Sequence, residues 1–217
     1  MKSYTYLFLD LDGTISDSAP GIVRSAQYAL EHFGIHVENV NDLLHFVGPP
    51  LEDSFRDFYH FSPEKADEAV EKYRERYEVT GVFENSLYPG VTEFLDDARA
   101  AGKTLMVATS KPQHMAELVL SHFGIADRFA FVGGREYNGG RHTKAEVIRY
   151  VIEQCGLEKQ LTDIVMIGDR KHDIIGAREV GIDSVGVLYG YGSREELEEQ
   201  GATYIAPDFN ALRKLLL

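Results

Sequence analysis

The chain carries a single cysteine, Cys155, and no tryptophan in 217 residues. One thiol excludes an internal disulfide and any cysteine-built metal cluster. Positive charge is scarce too: 22 Lys and Arg stand against 35 Asp and Glu, a formal charge of −13. Nucleic acids and anionic membranes are met by basic faces, so the balance argues against either as a partner. A membrane-length apolar run is also lacking. The N-terminal apolar stretch is cut by Asp10, too early for a signal-peptide core or a membrane span. The expectation is a cytoplasmic protein. The tetrapeptide His-Phe-Gly-Ile at 32–35 and again at 122–125 is too short for a repeat, and reads as two helices ended by glycine caps. What remains, 44% hydrophobic and 26% charged, is the composition of a soluble chain that can bury one core with a modest insertion.

The most informative stretch is Tyr6-Leu7-Phe8-Leu9-Asp10-Leu11-Asp12-Gly13-Thr14. Strand-forming apolar residues end in two carboxylates two positions apart, followed by a Gly-Thr turn. Residues two apart on a strand share a face, so Asp10 closes the strand and Asp12 lies just beyond it. Acids this close repel, and a fold keeps them where a cation, a shared proton or a reaction compensates. Open α/β sheets bind their ligands beyond the carboxyl ends of their strands, which is where this pair falls.

From about Leu87 the pattern alternates. Apolar runs at 104–108, 129–132, 164–167 and 184–188 read as strands, with 204–206 as an edge strand, and amphipathic segments between them read as helices. Such alternation implies an α/β fold with a doubly wound, Rossmann-like parallel sheet. Residues 16–80 break the rhythm, with apolar positions such as Ile22, Val23, Ala26, Leu30 and Phe33 at helical spacing and punctuation at Gly34 and Gly48-Pro49-Pro50. The expected division is an α/β core of 1–15 and 81–217 with an all-helical insertion of about four helices at 16–80.

Three further elements sit at strand ends or helix starts. Val107-Ala108-Thr109-Ser110-Lys111-Pro112 ends a strand in hydroxyls, and Ser110 with Gln113 has the spacing of a capping box. It reads either as a plain N-cap or as a phosphate cradle of hydroxyl and helix amides. Thr143 and Glu146 frame Lys144 as the first residue of a helix, the end where a cation is disfavoured by about 0.3–1 kcal/mol. A phosphate and carboxylates nearby would explain that placement better than a surface lysine does. Ile167-Gly168-Asp169 ends another strand in a carboxylate, with Asp173 one helical turn on.

Taken in order, these elements resemble the motifs of the haloacid-dehalogenase superfamily, in its phosphatase and phosphomutase branches, across essentially the whole chain. The resemblance implies a helical cap at 16–80 closing over the site. It implies Asp10 as nucleophile, Asp12 as general acid and base, and Gly13, Thr109, Ser110 and Lys144 as phosphate ligands. It also implies a metal held by Asp10, Asp169 and the backbone carbonyl of Asp12, with Asp173 orienting Lys144 or a metal-bound water. An oxygen-rich, cysteine-free site that meets phosphate suits Mg²⁺. The implied function is a Mg²⁺-dependent phosphatase of small phosphorylated metabolites, working as a monomer or homodimer. Phosphoglycolate phosphatase is the nearest named resemblance, but Arg141-His142-Thr143-Lys144-Ala145 lacks the Lys-Pro pair common there. A nucleotidase, a broad or phosphotyrosine-specific phosphatase and a β-phosphoglucomutase-like phosphomutase are the alternatives. A phospho-switch binding protein of the receiver type is shorter, has no cap and lacks an acid placed as Asp12 is. Gly48-Pro49-Pro50-Leu51 reads as a specificity loop. Arg24 and Arg56 are either anion contacts or surface arginines, and Tyr189-Gly190-Tyr191-Gly192 either lines the entrance or is a surface turn.

Overall fold

The computed structural model describes residues 2–136 and 140–217. The elements run β1 (Tyr6–Leu9), β2 (Ser16–Asp17), α1 (Ala19–His32), α2 (Leu51–Tyr59), α3 (Pro63–Tyr77), β3 (Ser86–Leu87) and α4 (Val91–Ala100). They continue β4 (Thr104–Pro112), α5 (Gln113–His122), β5 (Phe131–Arg135), α6 (Lys144–Cys155), β6 (Ile164–Gly168) and α7 (Lys171–Val180). The last are β7 (Asp183–Val187), α8 (Arg194–Glu199), β8 (Tyr204–Ala206) and α9 (Phe209–Leu216). Six strands form one parallel sheet in the order β5-β4-β1-β6-β7-β8. The chain is α/β, as its alternation of apolar runs and amphipathic segments implied.

The sheet is buried on both faces. Phe8, Met106, Ala108, Ile164 and Met166 pack with Val147, Ile148, Val151 and Ile152 of α6 and Ala177 of α7. The alternate phase, Leu7, Leu9, Leu105, Val107, Val165 and Ile167, is equally buried. Central parallel strands therefore read as unbroken apolar runs rather than alternating ones. Burying one such side chain fully is worth about 1.5–3 kcal/mol, so both phases of β1 hold its register.

Two compact units result, Met1–Ser16 with Leu87–Leu217, and Asp17–Ser86. The helical unit runs to Ser86 rather than Thr80 because residues after α3 are still bonded into it. Gly21 N–H donates to Glu84 O at 3.0 Å, and Arg24 and Arg76 pair with the Glu84 carboxylate at 2.8 and 2.7 Å. Its helical content is three α-helices plus 3₁₀ stretches at Val40–Phe46 and Gly81–Phe83. Both His-Phe-Gly-Ile segments end helices as expected. Ile35 N–H bonds Leu30 O and Gly34 N–H bonds Glu31 O after α1, and the same pair of bonds recurs after α5.

Candidate active site

Register explains why motifs far apart in sequence meet. Leu9 of β1 lies level with Val107 of β4 and with Ile167 of β6. Two residues beyond that rung, the three chains reach Leu11, Thr109 and Asp169 together, with Asp10 and Asp12 on either side of Leu11. Asp10 continues the phase of Tyr6 and Phe8, the face on which α6 packs. The first residue of α6 is Lys144, so the nearest cation to Asp10 is fixed by topology.

Lys144 is buried, and its Nζ lies 2.9 Å from Asp10 Oδ1, 2.7 Å from Asp173 Oδ1 and 3.0 Å from Ala108 O. The lysine is held at the helix start by a capping box. Thr143 Oγ1 accepts from Glu146 N–H at 3.2 Å, and Glu146 Oε2 accepts from Thr143 N–H at 2.9 Å. Burial alone would pull Lys144 below its ordinary range, but Asp10 and Asp173 outweigh it and hold it above. Burial pushes the Asp10 carboxyl up to about 6 despite Lys144. Asp169 is raised well above the usual carboxylate range, first by burial and then by Asp173 and Asp10.

Asp12 has its own cation. Lys111 Nζ lies 2.9 Å from both Asp12 Oδ1 and Oδ2, and the two side chains are only 4% and 13% exposed. After Asp12 the chain turns through Gly13 at φ +85°, and a Cβ there would stand 2.2 Å from Asp169 Oδ2. Glycine is required on both grounds. Thr14 Oγ1 then donates to Asp169 Oδ1 at 3.2 Å. The segment Tyr189–Gly192 after β7 is no surface turn. Tyr191 N–H donates to Asp169 Oδ2 at 2.8 Å, and Tyr189 Oη donates to Thr14 O at 3.2 Å. A Cβ on Gly192 would lie 1.9 Å from Asp169 O. Both oxygens of Asp169 are thus aimed by neighbouring loops.

A family model of haloacid dehalogenase-like hydrolases matches residues 6–187. The chain belongs to this family. Among its relatives, a 5′-nucleotidase of Pseudomonas aeruginosa is 42% identical over 213 residues, covering 98% of this chain and 96% of the relative. The tyrosine-protein kinase PtkA of Mycobacterium tuberculosis is 39% identical over 217 residues, covering 99% and 73%. A phosphoglycolate phosphatase of Vibrio vulnificus is 31% identical over 218 residues, covering 96% and 94%. A solved haloacid dehalogenase-like hydrolase from Streptococcus pneumoniae superposes with a TM-score of 0.90 at 30% identity over 99% of both chains.

Within this hydrolase fold, the acidic cluster fits a hard divalent cation. One carboxylate oxygen from each of Asp10, Asp169 and Asp173 lies within 4.8 Å of the others, and all three residues are buried. One lysine among three buried acids leaves negative charge that a dication such as Mg²⁺ would compensate. Asp173 is already engaged, its Oδ1 by Lys144 and its Oδ2 by the Arg170 N–H at 3.1 Å. Asp169 is engaged on both oxygens as well, by Thr14 Oγ1 and the Tyr191 N–H, while the bonds to Asp10 fall on Oδ1.

One expectation needs correcting. Ser110 is not a helix cap: α5 begins at Gln113 after Pro112, with no side-chain cap, because residues 109–112 continue β4. Thr109 is buried and Ser110 half-buried. The Lys111 N–H donates to Thr109 Oγ1 at 3.2 Å, which leaves the Thr109 hydroxyl hydrogen to be given elsewhere. Gly13 stands against Asp169 and Lys144 against Asp10, while Thr109 is buried at the end of the neighbouring strand β4. In the helical unit Arg24 is committed to Glu84, and Arg56 lies 3.9 Å from Asp53 on its own helix. Sequence reasoning gave no role to Lys111 or Thr14, and for Tyr189–Gly192 it left an entrance lining and a surface turn both open. The spacing of Lys111, two residues after Thr109, puts both on one face of the strand once β4 is seen to run on to Pro112.

Proposed function

We propose that the chain is a Mg²⁺-dependent phosphatase that hydrolyses small phosphomonoesters through an aspartyl-phosphate on Asp10. The observation that carries this reading is the pairing of Asp10 and Asp12, two residues apart, with two different buried lysines beside a third acid, Asp169. Both bonds to Asp10, from Lys144 Nζ and from Leu11 N–H at 2.8 Å, fall on Oδ1. Oδ2 is therefore the oxygen that attacks phosphorus. As the Asp10–phosphorus bond forms, the ester bond breaks and its electron pair leaves on the substrate oxygen, which takes a proton from Asp12. Water then attacks the aspartyl-phosphate and gives a proton to the Asp12 carboxylate. The Asp10–phosphorus bond breaks, and phosphate and the Asp10 carboxylate are restored. Thr109, Ser110, Lys144 and the amide of Gly13 bind the phosphoryl oxygens. Mg²⁺, held by Asp10, Asp169 and the Asp12 carbonyl, supplies charge neutralisation and alignment when bound.

The helical unit serves in this reading as the substrate-selecting cap, because it is inserted immediately after Asp12-Gly13-Thr14. Among substrates, nucleoside monophosphates come first: the relative named 5′-nucleotidase is more similar than the one named phosphoglycolate phosphatase, and the Lys-Pro pair is replaced by Lys144-Ala145. The test is phosphate release from nucleoside monophosphates, 2-phosphoglycolate, sugar phosphates and phosphotyrosine, with Mg²⁺ and with chelator. Mg²⁺-dependent release supports the reading. A stable phosphoprotein with no release moves it to a phosphomutase or a phospho-switch.

A further inference from the structure

A buried lysine is expensive unless paired, because removing an ammonium from water costs several kcal/mol. Lys144 pairs with Asp10 and Asp173, whereas the second buried lysine, Lys111, is set on Asp12, outside that cluster. Lys111 Nζ is equidistant, at 2.9 Å, from both oxygens of Asp12. Its backbone is fixed as well. The pairing of β4 with β5 shifts register between Ala108 and Pro112, and the Lys111 N–H closes on Thr109 Oγ1 within that irregularity. The irregular strand end carries Thr109 and Lys111 into the interior together.

We infer that Lys111 is a positioning residue for Asp12, holding its carboxylate in the plane from which it accepts a proton from the water that attacks the aspartyl-phosphate. The inference rests on the proposed base role of Asp12. A proton acceptor must lie within about 2.6–3.2 Å of the proton it takes. A short side chain on a turn, beside other acids, does not keep that geometry by itself. Two bonds from one ammonium fix the carboxylate plane, and fixing the orientation of a reacting group is worth orders of magnitude in rate. The ammonium does not touch phosphorus in this role. It acts through Asp12, and so its loss slows the hydrolytic step selectively.

The experiment uses p-nitrophenyl phosphate with saturating Mg²⁺, because that leaving group departs without an acid. A rapid burst of nitrophenol then reports phosphorylation of Asp10, and the slow phase reports breakdown of the phosphoenzyme. Lys111→Met is expected to keep a burst rate constant near the parent's and to slow the second phase by about 10–100-fold, within the range that general base catalysis supplies. Asp12→Asn should slow the second phase at least as much, and the double variant no more than Asp12→Asn alone. Lys111→Arg should recover part of the loss. Lys111→Gln keeps a donor for one carboxylate oxygen and reads the same quantity should Lys111→Met not fold. Parent-like breakdown in Lys111→Met and Lys111→Gln, with Asp12→Asn slow, overturns the inference and leaves Asp12 as the base. Parent-like breakdown in Asp12→Asn removes the base role and the inference with it. A slowed burst with normal breakdown makes Lys111 a phosphate ligand instead, and also overturns it.

Discussion

The two units of this chain bury different things. The core unit buries Asp10, Lys111, Lys144, Asp169 and Asp173 at strand ends and at the starts of the helices α6 and α7. Among the described residues of the helical unit, the buried polar side chains are Ser18, Ser25 and Ser54. Its centre is aromatic: Phe55 packs against Phe46 and Phe61 with ring centroids 4.8 and 5.9 Å apart, and Phe46 against Tyr59 at 6.0 Å. Aromatic packing stabilises directly, whereas buried ion pairs at best break even against apolar replacements. A chain that keeps five buried charges in one unit does so for chemistry. Among its described residues the helical unit buries no comparable cluster of charges.

The largest effect should come from the core. Asp10→Asn is expected to lower turnover by at least about 10³-fold with the fold intact, because a nucleophile has no substitute. Steady-state phosphate release with circular dichroism checks it, and appreciable turnover would remove Asp10 from the nucleophile's place. The same variant has a stability signature. In metal-free protein Asp10 holds its proton to about pH 6, against 3.8 for an ordinary aspartate. Between those values the unfolded chain releases the proton first, so stability falls as pH rises from about 4 to about 6 and then levels. Asp10→Asn should make that slope shallower, with the raised Asp169 supplying what remains, and denaturant titrations across the window would read the change.

Phe55→Ala tests the other side of the comparison. Phe55 is fully buried, so the substitution should cost about 3–5 kcal/mol. Hydrogen exchange should show the loss across α2 and α3 while β1, β4 and β6 keep their protection. Equal loss in both units would mean one cooperative block, and the contrast in what they bury would carry no independence.

Legibility in the sequence follows the same division. The core strands were readable because central parallel strands are apolar on both faces, and Asp10, Lys144, Asp169 and Asp173 because each breaks an apolar or helical pattern at its end. Thr143 and Glu146 showed their capping box in their spacing. What was hidden depended on backbone path. Ser110 looked like a helix cap because nothing local says that β4 runs on to Pro112. Lys111 carried no reading of its own, since nothing local reveals that its strand shifts register against β5 between Ala108 and Pro112. Tyr189–Gly192 stayed open between an entrance lining and a surface turn because its partner, Asp169, arrives from another strand. The helical unit gave its helices through spacing but not its second boundary, which Glu84 sets through long-range bonds to Gly21, Arg24 and Arg76.

Glycines separate the units more finely. A Cβ on Gly192 would meet Asp169 O at 1.9 Å, so Gly192→Ala must displace the loop whose Tyr191 N–H aims the Asp169 carboxylate. With Asp169 as a metal ligand, as proposed above, groups that orient it are worth about 10–100-fold in affinity, and titration calorimetry with Mg²⁺ should show a loss of that order. Gly34→Ala in the helical unit meets open space and strains only a φ of +72°. It should lower stability by about 1 kcal/mol and leave Mg²⁺ affinity unchanged. Unchanged affinity in Gly192→Ala would free Asp169 from its loop.

The smallest expected effect is the most discriminating, because it matches like with like. Thr143 caps α6 in the core and Ser62 caps α3 in the helical unit, each accepting a backbone N–H, at 3.2 and 3.3 Å. Replacing either by alanine should cost about 1 kcal/mol by thermal unfolding. The consequences for chemistry should differ. Thr143 precedes Lys144, so loosening that turn lets the Lys144 ammonium drift from Asp10 and Asp173. Turnover of p-nitrophenyl phosphate should then fall a few-fold in Thr143→Ala and hold in Ser62→Ala. Equal turnover losses in the two variants would show that stability alone sets the rate, and that the buried charges of the core are no more sensitive to their scaffold than the aromatic packing of the helical unit.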